Sequence, residues 1–166
     1  MRTSVALLSV GLAFALAACR GEDKTSPVSD EDARAFLAVA VSFAQSGEID
    51  RLCAATRAPK STCRTHFDLR GAAAVPSQAP MVIASDALSP STDNSSHGRL
   101  LTLCGIDGAG GQYESGFLVY RQRGGLVAPY PIFWSGIGVL IQLSPSPTTP
   151  GQPEDALARC RQAGAF

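Results

Sequence analysis

The order of apolar and polar positions divides the chain into an apolar leader, a short polar segment, a helical half and a strand-like half. The leader is apolar from Val5 to Leu16. As a helix, residues 5–18 would be about 21 Å long, whereas a membrane span must cross about 30 Å of hydrocarbon. The length of the leader therefore predicts the core of a signal peptide, not a transmembrane helix.

The leader ends in Leu16-Ala17-Ala18-Cys19, which resembles the bacterial lipobox. In that motif small residues admit the signal peptidase, and the cysteine thiol accepts a diacylglyceryl group. Two or three acyl chains, at ~0.8 kcal/mol per buried methylene, anchor a protein stably. We expect a signal peptide over residues 1–18, lipid on Cys19 and a flexible tether over 19–28, with the protein at the outer face of the cell membrane. The alternative is an ordinary secretory signal that a cysteine follows by chance.

The first half of the remaining chain has the period of helices. Ser29 and Asp32 have the form of a capping box, and Gly47 suits a C-terminal cap. Between them, apolar residues recur at helical spacing and predict one amphipathic helix: Ala33, Phe36, Leu37, Ala40, Phe43 and Ala44. Shorter helical turns are expected over residues 50–53 and 63–67.

The second half has the pattern of strands. Residues 99–106 are apolar on both faces and are expected to form a central strand. Other strands are expected at 81–84, 113–121, 126–134 and 137–143. Prolines interrupt the one at 126–134. Helices followed by strands indicate the α+β class, with N-terminal helices on a curved antiparallel sheet. The domain is expected over 29–143, and a proline-rich segment and a short C-terminal helix over 144–166.

Four segments carry a further resemblance: Phe36-Leu37, the run from Ser46 to Cys53, the strand at 113–121, and Pro131-Ile132-Phe133-Trp134-Ser135-Gly136. Together they resemble small exported actinobacterial lipoproteins of a cone-shaped α+β superfamily. That superfamily includes nuclear transport factor two, the ketosteroid isomerases and the scytalone dehydratases. The resemblance spans about residues 29–143 and implies a cone-like sheet. Because the superfamily carries many activities, the fold alone decides no function.

Four cysteines follow the lipobox, and an even number in an exported chain predicts two disulfides with three possible connectivities. We expect Cys53–Cys63, which closes a short loop between two helical turns, and Cys104–Cys160, which ties down the C-terminal helix. Cys53 and Cys63 could instead bind a metal together with His66. Since the close C-x2-C spacing of zinc sites is missing, the disulfide is preferred, and no metal or cofactor is predicted.

Charge excludes one class of partner. Without Arg2, which lies in the leader, the 14 acidic side chains outnumber the basic ones by one. The chain has no basic block and no basic residues interleaved with aromatic ones, so the sequence predicts no nucleic-acid partner.

Other candidate sites have plainer interpretations. The glycine-rich segment 107–111 could hold a phosphate, but a phosphate loop leads into a helix and this one leads into a strand, so a hairpin turn is favoured. Ser135 lacks the preceding glycine of a nucleophile elbow. His97 lies in a polar loop, and the sequon at Asn94 is read as an unmodified loop. The sequence predicts no catalytic residue.

Aromatic residues are the remaining candidates. Tyr130, Phe133 and Trp134 could line a ligand pocket, but core or rim packing is the favoured role for aromatic residues near prolines in a strand. If there is an apolar pocket, we expect Phe117, Tyr120 and Trp134 to line it. The expected function is non-catalytic: a membrane-anchored envelope protein that binds a partner protein or a small hydrophobic ligand, or that is purely structural. The alternative is an isomerase-type or dehydratase-type enzyme with an ionisable group in the cone. For that role, His66 and Asp68 are the only couple expected to reach a pocket.

Overall fold

The computed structural model describes residues 26–90, 97–122, 125–135 and 157–166. In chain order, the helices are α1 (Asp30–Gln45), α2 (Ile49–Ala55), α3 (Lys60–His66) and α4 (Ala158–Gln162), and the strands are β1 (Met81–Leu88), β2 (Gly98–Ile106), β3 (Gln112–Gln122) and β4 (Gly125–Val127). The predicted α+β class is confirmed. The expected signal peptide, Cys19, Asn94, the strand expected at 137–143 and residues 144–156 lie outside the described residues.

Helix α1 begins and ends where its capping residues predict. The backbone N–H of Asp32 donates to Ser29 Oγ at 3.0 Å, which satisfies one of the free donors of the first turn. The helix ends at Ser46, and Gly47 follows with a φ of +70°, a conformation that glycine adopts without a steric penalty. Val28, which the sequence assigned to the tether, is fully buried, so the folded domain begins before the N-cap.

The four strands form one antiparallel sheet in the order β1-β2-β3-β4. β2 is central, as its two apolar faces predict. β1 is twice as long as expected and has a bulge at Ile83, where its register against β2 shifts. The strand expected at 126–134 leaves the sheet after Val127, because Pro129 and Pro131 have no N–H with which to continue a ladder.

The core lies between α1 and one face of the sheet. Leu101 and Leu103 of β2 and Phe117 and Val119 of β3 are fully buried against the buried face of the helix. Phe133, in a 3₁₀ turn (Phe133–Ser135), meets the Phe117 ring edge-on at 6.2 Å between ring centroids. These four residues lie at every second position of their strands, as residues that share one face of a sheet must. Leu100 and Leu118, on the opposite face, are buried as well.

Two short helices and two tight turns connect α1 to the sheet. α3 continues into a π-helical turn (Phe67–Gly71) and a 3₁₀ turn (Ala72–Ala74). Trp134 Nε1 donates to the Gly71 carbonyl at 3.0 Å, which joins these turns to the chain beyond β4. Aromatic packing and backbone hydrogen bonds therefore close this side of the domain.

Candidate functional site

An open groove with a volume of about 650 Å³ lies between α1 and the start of β1. The lining side chains come from one flank of α1 and from the chain entering β1: Arg34, Leu37, Ala38, Val41, Ser42, Gln45, Ser46, Ala79, Pro80 and Val82. From Arg34 to Ser46 the groove follows about 18 Å of helix, at ~1.5 Å per residue. Its length and its mainly apolar lining suit an elongated ligand.

The floor of the groove belongs to the core. Leu37 and Val41 are buried on α1, and Val82 packs against the core from β1. Val82 is paired with Leu103, so its side chain lies on the helix side of the sheet. The groove is thus the place where the core reaches the surface, at the outer edge of β1.

One charged side chain, Arg34, lines the groove. Its Nε donates to Asp30 at 2.7 Å, and both side chains are about half exposed. The Ser85 hydroxyl and the Arg34 guanidinium hold the pKa of the Asp30 carboxyl below its ordinary value, so the pair stays ionised. Among the described residues, the two Nη groups of Arg34 have no partner. The groove therefore offers guanidinium donors to an anionic group.

A smaller hollow of about 280 Å³ lies at the opposite end of the sheet from the α1 N-terminus. It is lined by residues that precede β1, by the end of β2 and by Ala165. Met81 and Ile106 line it and are also among the exposed large apolar side chains. The Cys104–Cys160 disulfide forms part of its border.

The structure has two disulfides, Cys53–Cys63 and Cys104–Cys160, with Cα–Cα distances of 5.9 and 5.6 Å. Both are the pairs expected from the sequence. The first joins α2 to α3, and the second joins β2 to α4, which the ion pair between Arg159 and Glu114 also holds against the sheet.

A carboxylate stands beside the second disulfide. Oxygen atoms of Glu114 lie close to the sulfurs of Cys104 and Cys160, in a grouping with the spacing of metal ligands. Sulfurs joined in a disulfide are not thiolates and do not bind a metal as thiolates do. The neighbouring Arg159 guanidinium also repels a cation. This cluster is therefore structural.

The three aromatic residues expected to line a pocket do not share one wall. Phe117 is fully buried in the core, and Trp134 is buried edge-on against Phe133, with ring centroids 4.9 Å apart. Tyr120 lies three residues after Phe117 on β3 and therefore faces the other side of the sheet. The Phe117 and Trp134 rings fill the core on the helix side of the sheet and do not line a pocket together with Tyr120.

The ionisable couple expected for an enzyme lies outside the described grooves. His66 ends α3 and is half-buried, and Asp68 is exposed in the π-helical turn. Neither lines the two hollows described above. His66 also has no cysteine thiolate beside it, because Cys53 and Cys63 are joined to each other.

Tyr113 is the buried ionisable group that sequence reasoning missed. Among the described residues its hydroxyl has no hydrogen-bond partner, and it lies directly over Gly105, where an added Cβ would be 2.5 Å from the Tyr113 oxygen. Burial, assisted by the negative charge of Asp107, raises the pKa of the Tyr113 hydroxyl well above its ordinary value. The alternation of β3 predicts that the Tyr113 side chain faces the core. Whether its hydroxyl finds a hydrogen-bond partner there depends on tertiary packing, which the sequence pattern does not show.

The glycine-rich segment is a hairpin turn, as expected. The Asp107 carboxylate accepts hydrogen bonds from the N–H groups of Ala109 and Gly111 at 2.9 and 2.7 Å. Gly110 has a φ of +86°. The N–H groups that a phosphate loop would aim at a ligand are used here by the turn's own aspartate.

Comparison of the chain with known protein families, curated proteins and solved structures gives no match. Among the described residues, no helix is both long and apolar enough to cross a membrane. The likeness to the cone-shaped superfamily therefore stays a prediction.

Sequence reasoning identified the core face of α1 but missed the groove beside it. Arg34, Ala38, Val41 and Gln45 are spaced by three or four residues and so share one flank of the helix. That spacing was visible in the sequence. That the flank is uncovered depends on where the edge of the sheet lies, which the helical period does not reveal.

Proposed function

We propose that the protein is an exported lipoprotein, anchored through Cys19 to the outer face of a cell membrane, whose folded domain acts by binding and not by catalysis. The observation that carries this proposal is the combination of a lipobox directly after the leader and two disulfides in the domain. Disulfides form and persist in exported proteins and are rare in reducing compartments.

The length of chain after Cys19 fits an anchor. The α1 N-cap, Ser29, lies ten positions after Cys19, so an extended chain between them spans at most about 36 Å. Arg99 Nε donates to the Val28 carbonyl at 2.8 Å, so the chain is fixed to the sheet just before α1. A domain held in this way is free to meet partners near the membrane surface.

Binding is favoured over catalysis by the contrast between the interior and the groove. The described part of the interior is filled by aromatic rings, whereas the open hollow has an apolar floor and a single charged residue, Arg34, in its lining. General acid–base chemistry needs an acid or base held at the reacting atom. No specific observation in the described residues favours the isomerase or dehydratase alternative.

The anchor is tested by expressing the full chain in a bacterium supplied with labelled palmitate. We expect the wild-type protein to be labelled and to partition into the membrane fraction, and Cys19→Ala to lose both properties. Ala35→Ser, which changes an exposed position of α1 and leaves both disulfides intact, is the control and should keep the label. Unchanged labelling and partitioning of Cys19→Ala would contradict the proposal.

The binding role is tested separately by a thermal-shift screen of the mature protein against hydrophobic ligands and envelope-derived peptides. A ligand that binds only the folded state raises its Tm, by RT ln(1 + [L]/Kd) in free energy. A screen that raises Tm with no compound at millimolar concentration would favour a purely structural role instead.

A further inference from the structure

We propose that the outer edge of β1 and the groove beside it bind an extended polypeptide segment that carries an acidic group, as an added strand of the sheet. This inference rests on the proposed binding role and names the class of partner. All residues of β1 and of the groove lie in the part of the chain that the structure describes.

The first observation is the free edge. In the described part of the chain, β1 ends the sheet and pairs with β2 alone. In an edge strand alternate residues direct N–H and C=O groups outward, where another chain can pair with them. Met81 to Ser85 carry no charge, and the first charged residue of β1 is Asp86. The bulge at Ile83 is the one irregularity that interrupts this stretch.

The second observation is the position of the groove. Val82 and Ser85 are paired with the core residues Leu103 and Leu101, so they face α1. A strand added outside β1 would direct alternate side chains to the same face. There they would lie over Val82 and beside Leu37 and Val41, which is the space that the groove occupies. About 18 Å of groove accommodates five or six extended residues at ~3.3 Å each.

The free edge and the groove together select the class of partner. An apolar groove with one guanidinium also suits an anionic amphiphile such as a fatty acid. An acyl chain, however, cannot pair with a row of backbone donors and acceptors, whereas an extended peptide pairs with the backbone and fills the groove. The edge therefore favours a peptide over a lipid.

Charge sets the composition and orientation of the peptide. Arg34 lines the groove near the N-terminal end of α1, and the residues toward the other end, Ser42, Gln45 and Ser46, are neutral. A carboxylate of the peptide that reaches the Arg34 Nη groups would make charge-assisted hydrogen bonds. We therefore expect alternating apolar side chains with an acidic residue at the Arg34 end.

The test is a fluorescence-anisotropy titration of the full mature protein in detergent. The probe is a labelled peptide of about seven residues with alternating valine and threonine and one terminal glutamate. We expect a Kd in the micromolar range. Ala38→Phe fills the groove from an exposed helix position and should weaken binding about tenfold or more, because the peptide side chains lose their place.

Three matched comparisons identify the mode of binding. Ala35→Phe puts the same ring at an exposed position of α1 outside the groove and should change the Kd less than about twofold. A probe with alternate backbone nitrogens methylated keeps its side chains but loses donors along the pairing edge, and it should bind about tenfold more weakly or worse. Arg34→Gln should weaken the glutamate probe and leave an otherwise identical glutamine probe unchanged.

Three outcomes would overturn the inference. The first is no binding of the probe at millimolar concentration. The second is equal binding of the methylated probe together with displacement by laurate, which would identify an amphiphile site. The third is self-association of the protein that Ala38→Phe abolishes, which would make a second copy the occupant. None of these depends on the palmitate label, so failure of this inference and failure of the anchor are distinguishable.

Discussion

The two edges of the sheet end in different ways. β4 is three residues long, and the chain beyond it turns inward: the Ala128 N–H donates to the Thr56 carbonyl at 2.9 Å, and Ala128 and Pro131 are buried. β1 is eight residues long, and in the described structure its outer edge has a groove beside it. One side of the domain is thus closed by its own chain, while on the other side no described residue covers the backbone edge of β1 or the apolar surface beside it.

The difference follows from the residues at each edge. Pro129 and Pro131 stop the ladder after β4 and lead the chain into the aromatic cluster, so that this region contributes to stability. The β1 edge has a bulge and Asp86 as its protection against unspecific pairing, and Met81 to Ser85 between them carry no charge. We therefore expect substitutions in the aromatic cluster to change the stability of the domain, and substitutions at the β1 edge to change the proposed binding.

The largest effect is expected in the closed region. Phe117→Ala removes a fully buried ring and should lower the free energy of unfolding by about 3–5 kcal/mol. Phe36→Ala should cost clearly less, because that ring is half-buried and contacts Phe117 at a distance of 6.4 Å between centroids. Denaturant unfolding of both variants measures the difference. Equal losses would mean that the interior is not closed around Phe117.

The second prediction concerns the two disulfides. Cys104 and Cys160 are separated by 56 positions, and replacing both by serine should lower the free energy of unfolding by up to about 4 kcal/mol. Cys53 and Cys63 are separated by 10 positions, and replacing both should lower it by up to about 3 kcal/mol. Thermal unfolding of the two double variants measures the losses. A non-reduced peptide map that joins Cys53 to Cys104 or Cys160 would refute the pairing on which this prediction depends.

How far the sequence predicted the fold depends on the range of the interactions involved. Ser29 and Gly47 bound α1 through contacts within one turn, so a local pattern was sufficient to predict them. β2 was correctly placed at the centre because both of its faces are apolar. β1 was predicted too short, because a bulge breaks its alternation, and β4 too long, because the chain leaves the sheet to reach Thr56, a contact distant in sequence.

The candidate site was less predictable for the same reason. Phe117 and Trp134 were expected to line a pocket because aromatic residues in strands serve as lining and as core alike. Their edge-on packing against Phe133, which the structure reveals, places both rings in the core. The groove needs the flank of α1 and the edge of β1 together, and no pattern within either segment indicates that the other lies beside it.

The third prediction concerns the Tyr113 hydroxyl, which is buried and has no hydrogen-bond partner in the described part of the chain. Tyr113→Phe removes this oxygen and should leave stability unchanged or raise it by up to about 1 kcal/mol. The folded-state pKa of Tyr113 is raised, so the unfolded state loses its proton first. Wild-type stability should therefore fall as pH rises above about 10, the ordinary tyrosine pKa, and more steeply than that of the variant. Urea midpoints from pH 8 to 11 measure this, and parallel curves would contradict it.

The smallest effect is expected at the open edge. Ala38→Phe and Ala35→Phe both change exposed positions of α1, and each should alter the free energy of unfolding by less than about 0.5 kcal/mol. Thermal unfolding measures the two variants side by side. A loss of more than about 2 kcal/mol for Ala38→Phe alone would mean that the groove is occupied in the folded protein and is not open for binding.

The most direct test of the account is amide hydrogen exchange of the mature protein, with and without the alternating valine–threonine peptide. We predict that Met81 to Leu88 exchange faster than the central strand β2 in the free protein, because one edge of β1 has no partner strand among the described residues. With the peptide bound, exchange in β1 should slow, while β2 and the segment after β4 stay unchanged. Full protection of β1 without the peptide, or protection that appears elsewhere on adding it, would contradict the account.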